Sequence, residues 1–171
     1  TFDHEMVGVE LAVDGLVADT LRLGGLTSWR DESATSGQYY NSNAELVSQD
    51  SSGTTNTSYT LKLDWTPEVP VGELLVHVDY VYEENGVDTG SPDFLDEFHA
   101  IPNYLDDTEN LNARVAWTSD DGHYELALWG RNLLDQELID GVHTISRPAF
   151  GTTFVGIRDP LTWGVEGRYN W

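Results

Sequence analysis

The sequence contains no cysteine, which excludes a disulfide framework, a thiolate zinc site and a cysteine nucleophile while leaving the compartment open. Basic side chains are scarce. Eight Lys and Arg stand against thirty Asp and Glu, a formal charge of −22 with histidines neutral. Phosphate backbones are held by clustered Lys and Arg, so a generic DNA- or RNA-binding surface is excluded and nucleic acid is not an expected partner. No apolar run approaches the roughly 20 residues of a membrane-spanning helix, which says nothing about spans made of strands. The start at Thr1 lacks a basic n-region and an apolar h-region, so any export signal is expected to lie upstream or to have been removed.

What is present is enough to fold. With 171 residues, of which 39% are hydrophobic and 11% aromatic, the chain has one domain's length or is a piece of a larger one, and it resists disorder despite its acidity. Apolar positions recur with period two in segments rich in β-branched and aromatic residues, the mark of strands rather than helices. Seven strands are expected, at 5–14, 20–31, 57–67, 73–84, 109–119, 123–133 and 161–171. Most have about the 9 to 11 residues of a tilted strand crossing a bilayer core.

The connections alternate in length. Residues 13–20, 67–72 and 119–122 form short, Gly-, Pro- and Asp-rich turns, whereas 32–56, 85–108 and 134–160 are long. Long loops gathered at one end are the habit of an outer-membrane barrel, with short periplasmic turns and long extracellular loops.

Parity sharpens this reading. One parity of the last five strands holds Tyr59, Leu61, Leu63 and Trp65; Leu74, Val76, Val78, Tyr80 and Tyr82; Leu111, Ala113, Val115 and Trp117; Tyr124, Leu126, Leu128 and Gly130; and Leu161, Trp163, Val165, Gly167, Tyr169 and Trp171. None is charged. The other parity holds Lys62, Asp64, His77, Asp79, Arg114, Glu125, Arg131, Glu166 and Arg168. A Lys or Arg facing lipid at the midplane costs about 2 to 4 kcal/mol, so a membrane enforces such segregation. A soluble sheet with one buried face segregates its charges too, and the aromatics separate the two cases. With strands running alternately down and up, Trp65, Trp117, Tyr124, Tyr169 and Trp171 gather at the rim with the short turns. Trp29, Tyr59, Tyr82 and Trp163 gather at the opposite rim. Aromatic girdles flanking an aliphatic band mark the two interfaces of outer-membrane barrels.

Residues 109–171 carry a resemblance. Leu128, Trp129, Gly130, Arg131, Asn132, Leu133, Leu134 and Asp135, followed by a long loop and a last strand that alternates to a terminal aromatic, resemble the carboxy-terminal end of TonB-dependent outer-membrane receptors. Trp171 stands where the family more usually ends on Phe. The resemblance is strong over about the last 60 residues, weaker over 57–108 and only architectural before that. It implies an all-β, antiparallel up-and-down meander of about seven strands, with 1–171 forming the carboxy-terminal segment of a large transmembrane β-barrel of about 22 strands. It also implies a plug domain and earlier strands supplied by upstream sequence, and uptake of a scarce nutrient such as a ferric siderophore or vitamin, energised by TonB through that missing part. The implied partners are outer-membrane lipid, the rest of the barrel, the plug, TonB and the barrel-assembly machinery that reads the terminal aromatic. The implied place is the outer membrane of a Gram-negative bacterium.

No bond chemistry is expected: the reading is of a non-enzyme with no catalytic residue, cofactor or metal. The histidines His4, His77, His99, His123 and His143 lack ligand spacing. His77 beside Asp79 suggests an acid/base pair, but no serine nucleophile in a recognisable motif accompanies it, and a lumen-facing hydrogen-bonding pair is the simpler reading. The stretch 83–109 carries Glu83, Glu84, Asp88, Asp93, Asp96, Glu97, Asp106, Asp107 and Glu109 without Lys or Arg. Clustered oxygens suit calcium or a cationic ligand, yet no EF-hand spacing is present, and a solvated acidic loop is the commoner reason for such a run. Phe150 and Phe154 near Gly151 suit either a ligand mouth or a packed surface loop. Gly130, Asn132, Leu133 and Asp135 are expected to act structurally, because Asn and Asp bond local backbone where a strand gives way to a loop. Ligand contacts do not transfer by motif, so substrate-binding residues stay open. Two further readings remain: a complete small outer-membrane barrel or adhesin with an eighth strand, and a secreted acidic β-sandwich that stacks carbohydrate on Trp and Tyr.

Overall fold

The computed structural model describes residues 4–34, 37–40, 45–49, 52–84, 107–137, 139–143, 150–152 and 154–171. Among these described residues the regular elements are eleven strands. Seven of them build one antiparallel sheet, in the order β1 (His4–Ala18), β2 (Leu21–Ala34), β5 (Ser52–Trp65), β6 (Glu73–Glu83), β7 (Thr108–Thr118), β8 (Tyr124–Arg131) and β11 (Thr162–Tyr169). These are the seven strands expected from the period-two pattern, each paired with its neighbour along the chain. The sheet is open: β1 and β11 are its two edges, and it is not closed on itself.

Two small hairpins interrupt the long connections. β3 (Gly37–Tyr40) pairs with β4 (Leu46–Gln49) between β2 and β5, and β9 (Ile139–His143) pairs with β10 (Phe154–Ile157) between β8 and β11. Strands of four or five residues are too short to show alternation, so the period-two pattern does not mark either stretch. β1 also runs further than expected. Asp14 and Gly15 look like turn residues, but the strand passes through them, absorbs a bulge between Leu16 and Ala18, and turns only at Asp19 and Thr20.

The register puts one parity of all seven strands on one face. The row Trp65, Val76, Val115, Leu128 and Val165 runs across five strands, and Leu21 extends it to β2. A slip of one residue anywhere would turn a strand's apolar set over to the charged face, which is what fixes the pairing. No second layer covers this face among the described residues: Leu61 is 54% exposed, Leu128 52% and Val165 70%, and the only buried apolar side chains are Ala116 and Ala127. A sandwich would enclose this set between two sheets, and here it is open.

The β7–β8 connection shows how a short turn is held. Gly122 N–H donates to the Ser119 carbonyl at 2.8 Å, with Gly122 at φ 71°. A Cβ there would meet no other atom, so only backbone strain opposes a side chain. Gly122→Ala is expected to lower stability by about 1 to 2 kcal/mol, the cost of the left-handed region for an L-residue. A shift of the denaturant midpoint with unchanged slope would check it.

Candidate functional site

The apolar face has two aromatic edges. Toward the short turns, Tyr124 and Tyr169 face each other across β8 and β11 with ring centroids 5.1 Å apart, and Trp171 follows at 6.3 Å from Tyr169. The Trp117 indole N–H donates to the Val71 carbonyl at 2.9 Å, which ties β7 to the β5–β6 turn, and Trp65 ends β5 on the same side. Toward the long loops, Tyr59 stacks on Tyr82 at 4.7 Å. Trp29 and Trp163 lie on the same face in β2 and β11.

Neither edge follows the hydrogen-bonded rows. From Trp29 on β2 to Trp163 on β11, the loop-side edge drops six residues in register over five strand-to-strand steps. From Trp65 on β5 to Tyr169 on β11, the turn-side edge drops four residues over four steps. At about 3.3 Å per residue and about 4.8 Å per strand, both edges slope at about 35 to 40° to the rows. The strands are therefore tilted by that angle against a band whose two margins are parallel. Charge respects the same slope: the first carboxylates of this parity on the loop side are Asp31 on β2, Glu84 after β6 and Glu109 on β7, each lower in register than the last.

The opposite face is a set of paired charges. Asp64 on β5 lies directly across from His77 on β6, with Nδ1 2.6 Å from the carboxylate, and His77 Nε2 lies 3.4 Å from Asp79 two residues on. Arg114 on β7 donates to Glu166 on β11 at 2.8 Å and to Glu125 on β8 at 3.2 Å, and Arg168 reaches the other Glu125 oxygen at 3.3 Å. Arg22 holds Asp14 on β1. Trp129 departs from the pattern. Its ring lies over Gly164, where a Cβ would come within 2.7 Å, and the Arg131 guanidinium stands 5.5 Å from its centroid. Pairing of this density neutralises the middle of the face and leaves the chain's excess negative charge to the strand ends and loops.

Where β8 ends, Asn132 and Asp135 both take positive φ, 48° and 52°. Asn132 is 5% exposed. Its side chain donates to the carbonyls of Gln136 at 3.0 Å and Asp159 at 3.3 Å and accepts from the Gln136 N–H at 3.2 Å. Asp135 accepts from the Leu161 N–H at 3.3 Å, and Leu133 N–H donates to the Leu111 carbonyl at 2.8 Å. Leu133 folds back over Gly130, where a Cβ would stand 2.6 Å from its Cδ2. Gln136 reaches across to donate to the Asp107 carbonyl at 2.8 Å and accept from the Glu109 N–H at 2.6 Å. Gly130, Asn132, Leu133 and Asp135 thus form a knot that fastens the bases of two long connections to the sheet. The side chains of Asn132 and Asp135 bond backbone groups, and the Asn132 backbone N–H donates to the Asn112 side-chain oxygen at 3.1 Å.

No protein-family model matches the chain. No curated protein and no solved structure matches it either.

Of the acidic stretch, Glu83, Glu84, Asp107 and Glu109 are described, and Asp88, Asp93, Asp96, Glu97 and Asp106 lie outside the described residues. Glu84 accepts from the Thr57 N–H at 2.9 Å, and Asp107 accepts from the Tyr82 hydroxyl at 2.7 Å, so these two carboxylates hold strand ends. His99 and the side chains of His4 and His143 also lie outside. No group of three or more His, Cys, Asp or Glu among the described residues has metal-holding geometry. Phe150 and Phe154 meet at 5.9 Å beside Gly151. Nothing local in the sequence marks Gln136 or Asp64 as a site residue, because their partners become visible only through register.

The turn at 119–123 carries one pH-sensitive device. Hydrogen bonds from the Ser119 hydroxyl at 2.6 Å and the His123 N–H at 3.0 Å hold the Asp121 carboxyl below its ordinary range. Because the folded value is the lower one, this contribution is present above the unfolded pKa of about 3.9 and is lost as pH falls through the folded value. Asp121→Asn is expected to flatten that part of the acid-unfolding curve and to leave neutral-pH behaviour nearly intact. Equilibrium unfolding between pH 2 and 7, as an order-of-magnitude window around the carboxylate range, would show it.

Proposed function

We propose that this chain is the carboxy-terminal barrel segment of a TonB-dependent outer-membrane receptor, which takes up a scarce nutrient such as a ferric siderophore or vitamin in a Gram-negative bacterium. The observation that carries the reading is the uncharged apolar face with parallel aromatic margins, inclined to the strands by an angle inside the roughly 35 to 45° range of membrane barrels. A bilayer demands this geometry. Its two interfaces are parallel planes, so on tilted strands the interfacial residues must drift in register by about the same amount at each margin. Nothing in a soluble half-buried sheet couples the two margins in this way. The resemblance of 128–135 and of the last strand supplies the family, and the knot those residues form suits the base of an outer loop. In this reading the charged face lines the lumen against a plug, the apolar face meets lipid, Trp171 marks the periplasmic rim, and the open edges pair with the rest of the barrel.

The test is to express the full chain with its upstream sequence in a Gram-negative host and to fractionate the envelope. Heat-modifiable mobility in the outer-membrane fraction is expected, together with insolubility of the isolated segment without detergent. A monodisperse folded monomer of the segment in plain buffer would overturn the membrane reading. A correctly inserted barrel with no plug upstream would overturn the receptor reading alone.

A further inference from the structure

The charged face and the loop-base knot are joined by a single amide. Asn112 on β7 lies directly across from Asp79 on β6, and its Nδ2 donates to Asp79 Oδ2 at 2.8 Å. Its Oδ1 accepts from the Asn132 backbone N–H at 3.1 Å. Asn132 in turn holds Gln136 and the Asp159 carbonyl, and Gln136 holds 107 and 109. The chemistry of the amide gives this chain a direction. A carboxylate accepts and cannot donate, so Asp79 obliges Asn112 to turn its NH2 toward β6, and the oxygen must then face Asn132. Without that constraint the amide is free to rotate, and in the flipped state its NH2 would confront a second N–H.

We propose that Asp79 is a positioning residue for the bases of the two long connections 84–107 and 132–161, and that the Asp79–Asn112–Asn132 relay couples the charged face of the sheet to those loops. A cationic group arriving on that face, a guanidinium or ammonium of an occupant, competes with Asn112 for the Asp79 carboxylate and releases the amide that holds Asn132. The groups already facing this point are His77 on β6, Asp64 and Lys62 on β5, and Arg114 on β7. His77 lies 3.4 Å from the other Asp79 oxygen, Oδ1, and takes no part in the bond from Asn112 to Oδ2. The inference depends on side-chain geometry and not on the membrane reading. If the envelope experiment failed, this one would stand.

The test is backbone hydrogen exchange on the folded full chain, in detergent or in buffer, read on peptides covering 131–137 and 159–163 with peptides from β1 and β2 as controls. Asp79→Val keeps a strand-forming side chain and removes the acceptor. It is expected to raise exchange around Asn132 roughly tenfold, the scale of losing one hydrogen bond to a buried group. His77→Val, equally disruptive to the charged face, is expected to leave those peptides within about twofold, since it spares the relay. In an Asn112→Ala background, Asp79→Val should add almost nothing, because the connecting amide is already gone. The proposal is overturned by unchanged exchange in Asp79→Val, by an equal rise in His77→Val, by a rise spread over β1 and β2, or by additive effects of Asp79→Val and Asn112→Ala.

Discussion

Leu128→Arg is expected to prevent membrane assembly of the full-length protein almost entirely, whereas Glu125→Ala, on the same strand and the opposite face, should reduce it only modestly. Leu128 lies midway along the uncharged stretch of β8, half exposed, between Val115 on β7 and Val165 on β11. In water an arginine at a half-exposed strand position costs within about 0.5 kcal/mol, because surface substitutions of this kind are nearly neutral. Facing lipid near the midplane it costs about 2 to 4 kcal/mol, a large share of a domain's stability of about 5 to 15 kcal/mol. The same substitution at the margin, Tyr124→Arg, should cost about 0 to 1 kcal/mol at the interface, with the loss of the Tyr169 contact in addition. Heat-modifiable mobility in outer-membrane fractions measures all three. Equal tolerance of Leu128→Arg and Tyr124→Arg would mean that depth along the strand has no meaning, and with it the membrane.

Asn132→Ala is expected to lower stability by about 2 to 4 kcal/mol, from lost hydrogen bonds at a buried site and from alanine's penalty at positive φ. A series separates these causes. Asn132→Gly accepts the backbone angle and loses only the side-chain bonds, so it should recover about 1 to 2 kcal/mol of the loss. Asn132→Asp keeps the acceptor for Gln136 N–H but turns its other oxygen toward the carbonyls of Gln136 and Asp159, so it should be no better than alanine. Urea midpoints of the folded full chain, read together with protease sensitivity of the segment 132–161, check the order Asn, then Gly, then Ala and Asp together.

Parity was the most legible feature of this chain. The alternation in Leu61, Leu63, Trp65 or Leu126, Leu128, Gly130 can be read without a partner strand, since neighbouring side chains in a strand must point to opposite faces. The same logic holds for Val7, Val9, Leu11 and Val13, which the register adds to the apolar face through β2, but the turn-like Asp14-Gly15 hid how far β1 continues. Turn chemistry is a statement about permitted angles, and a bulged strand permits them too. Relations between distant residues were not legible. His77 beside Asp79 is visible as neighbours two apart on one strand, yet the closer partner, Asp64, depends on how β5 slides against β6. The slope of the aromatic margins likewise exists only after five registers are known. In the knot, Asn132 and Asp135 are legible as residues that bond local backbone where a strand gives way to a loop, whereas Gln136 carries no local sign, because its partners at 107 and 109 are far away along the chain.

The absence of cysteine allows a direct measurement of the central claim, that one face of this sheet meets lipid along a tilted band. Single cysteines placed from Tyr124 to Arg131 on β8 and from Thr162 to Tyr169 on β11 of the full chain in bilayers would each carry one spin label, with no competing thiol among these 171 residues. Collision with dissolved oxygen, which concentrates in lipid, is expected to peak at 124, 126, 128 and 130 and at 163, 165, 167 and 169. Collision with a water-soluble nickel chelate should peak at the intervening positions wherever the lumen is wet. Labels at 128 and 165, on the same row, should differ in depth by about 3 Å, with 165 nearer the loop-side margin because the rows are inclined to the band, and 130 and 163 should each be shallower toward the loops than 128 and 165. Oxygen and nickel accessibilities that rise and fall together along both strands, with no period of two, would contradict the account.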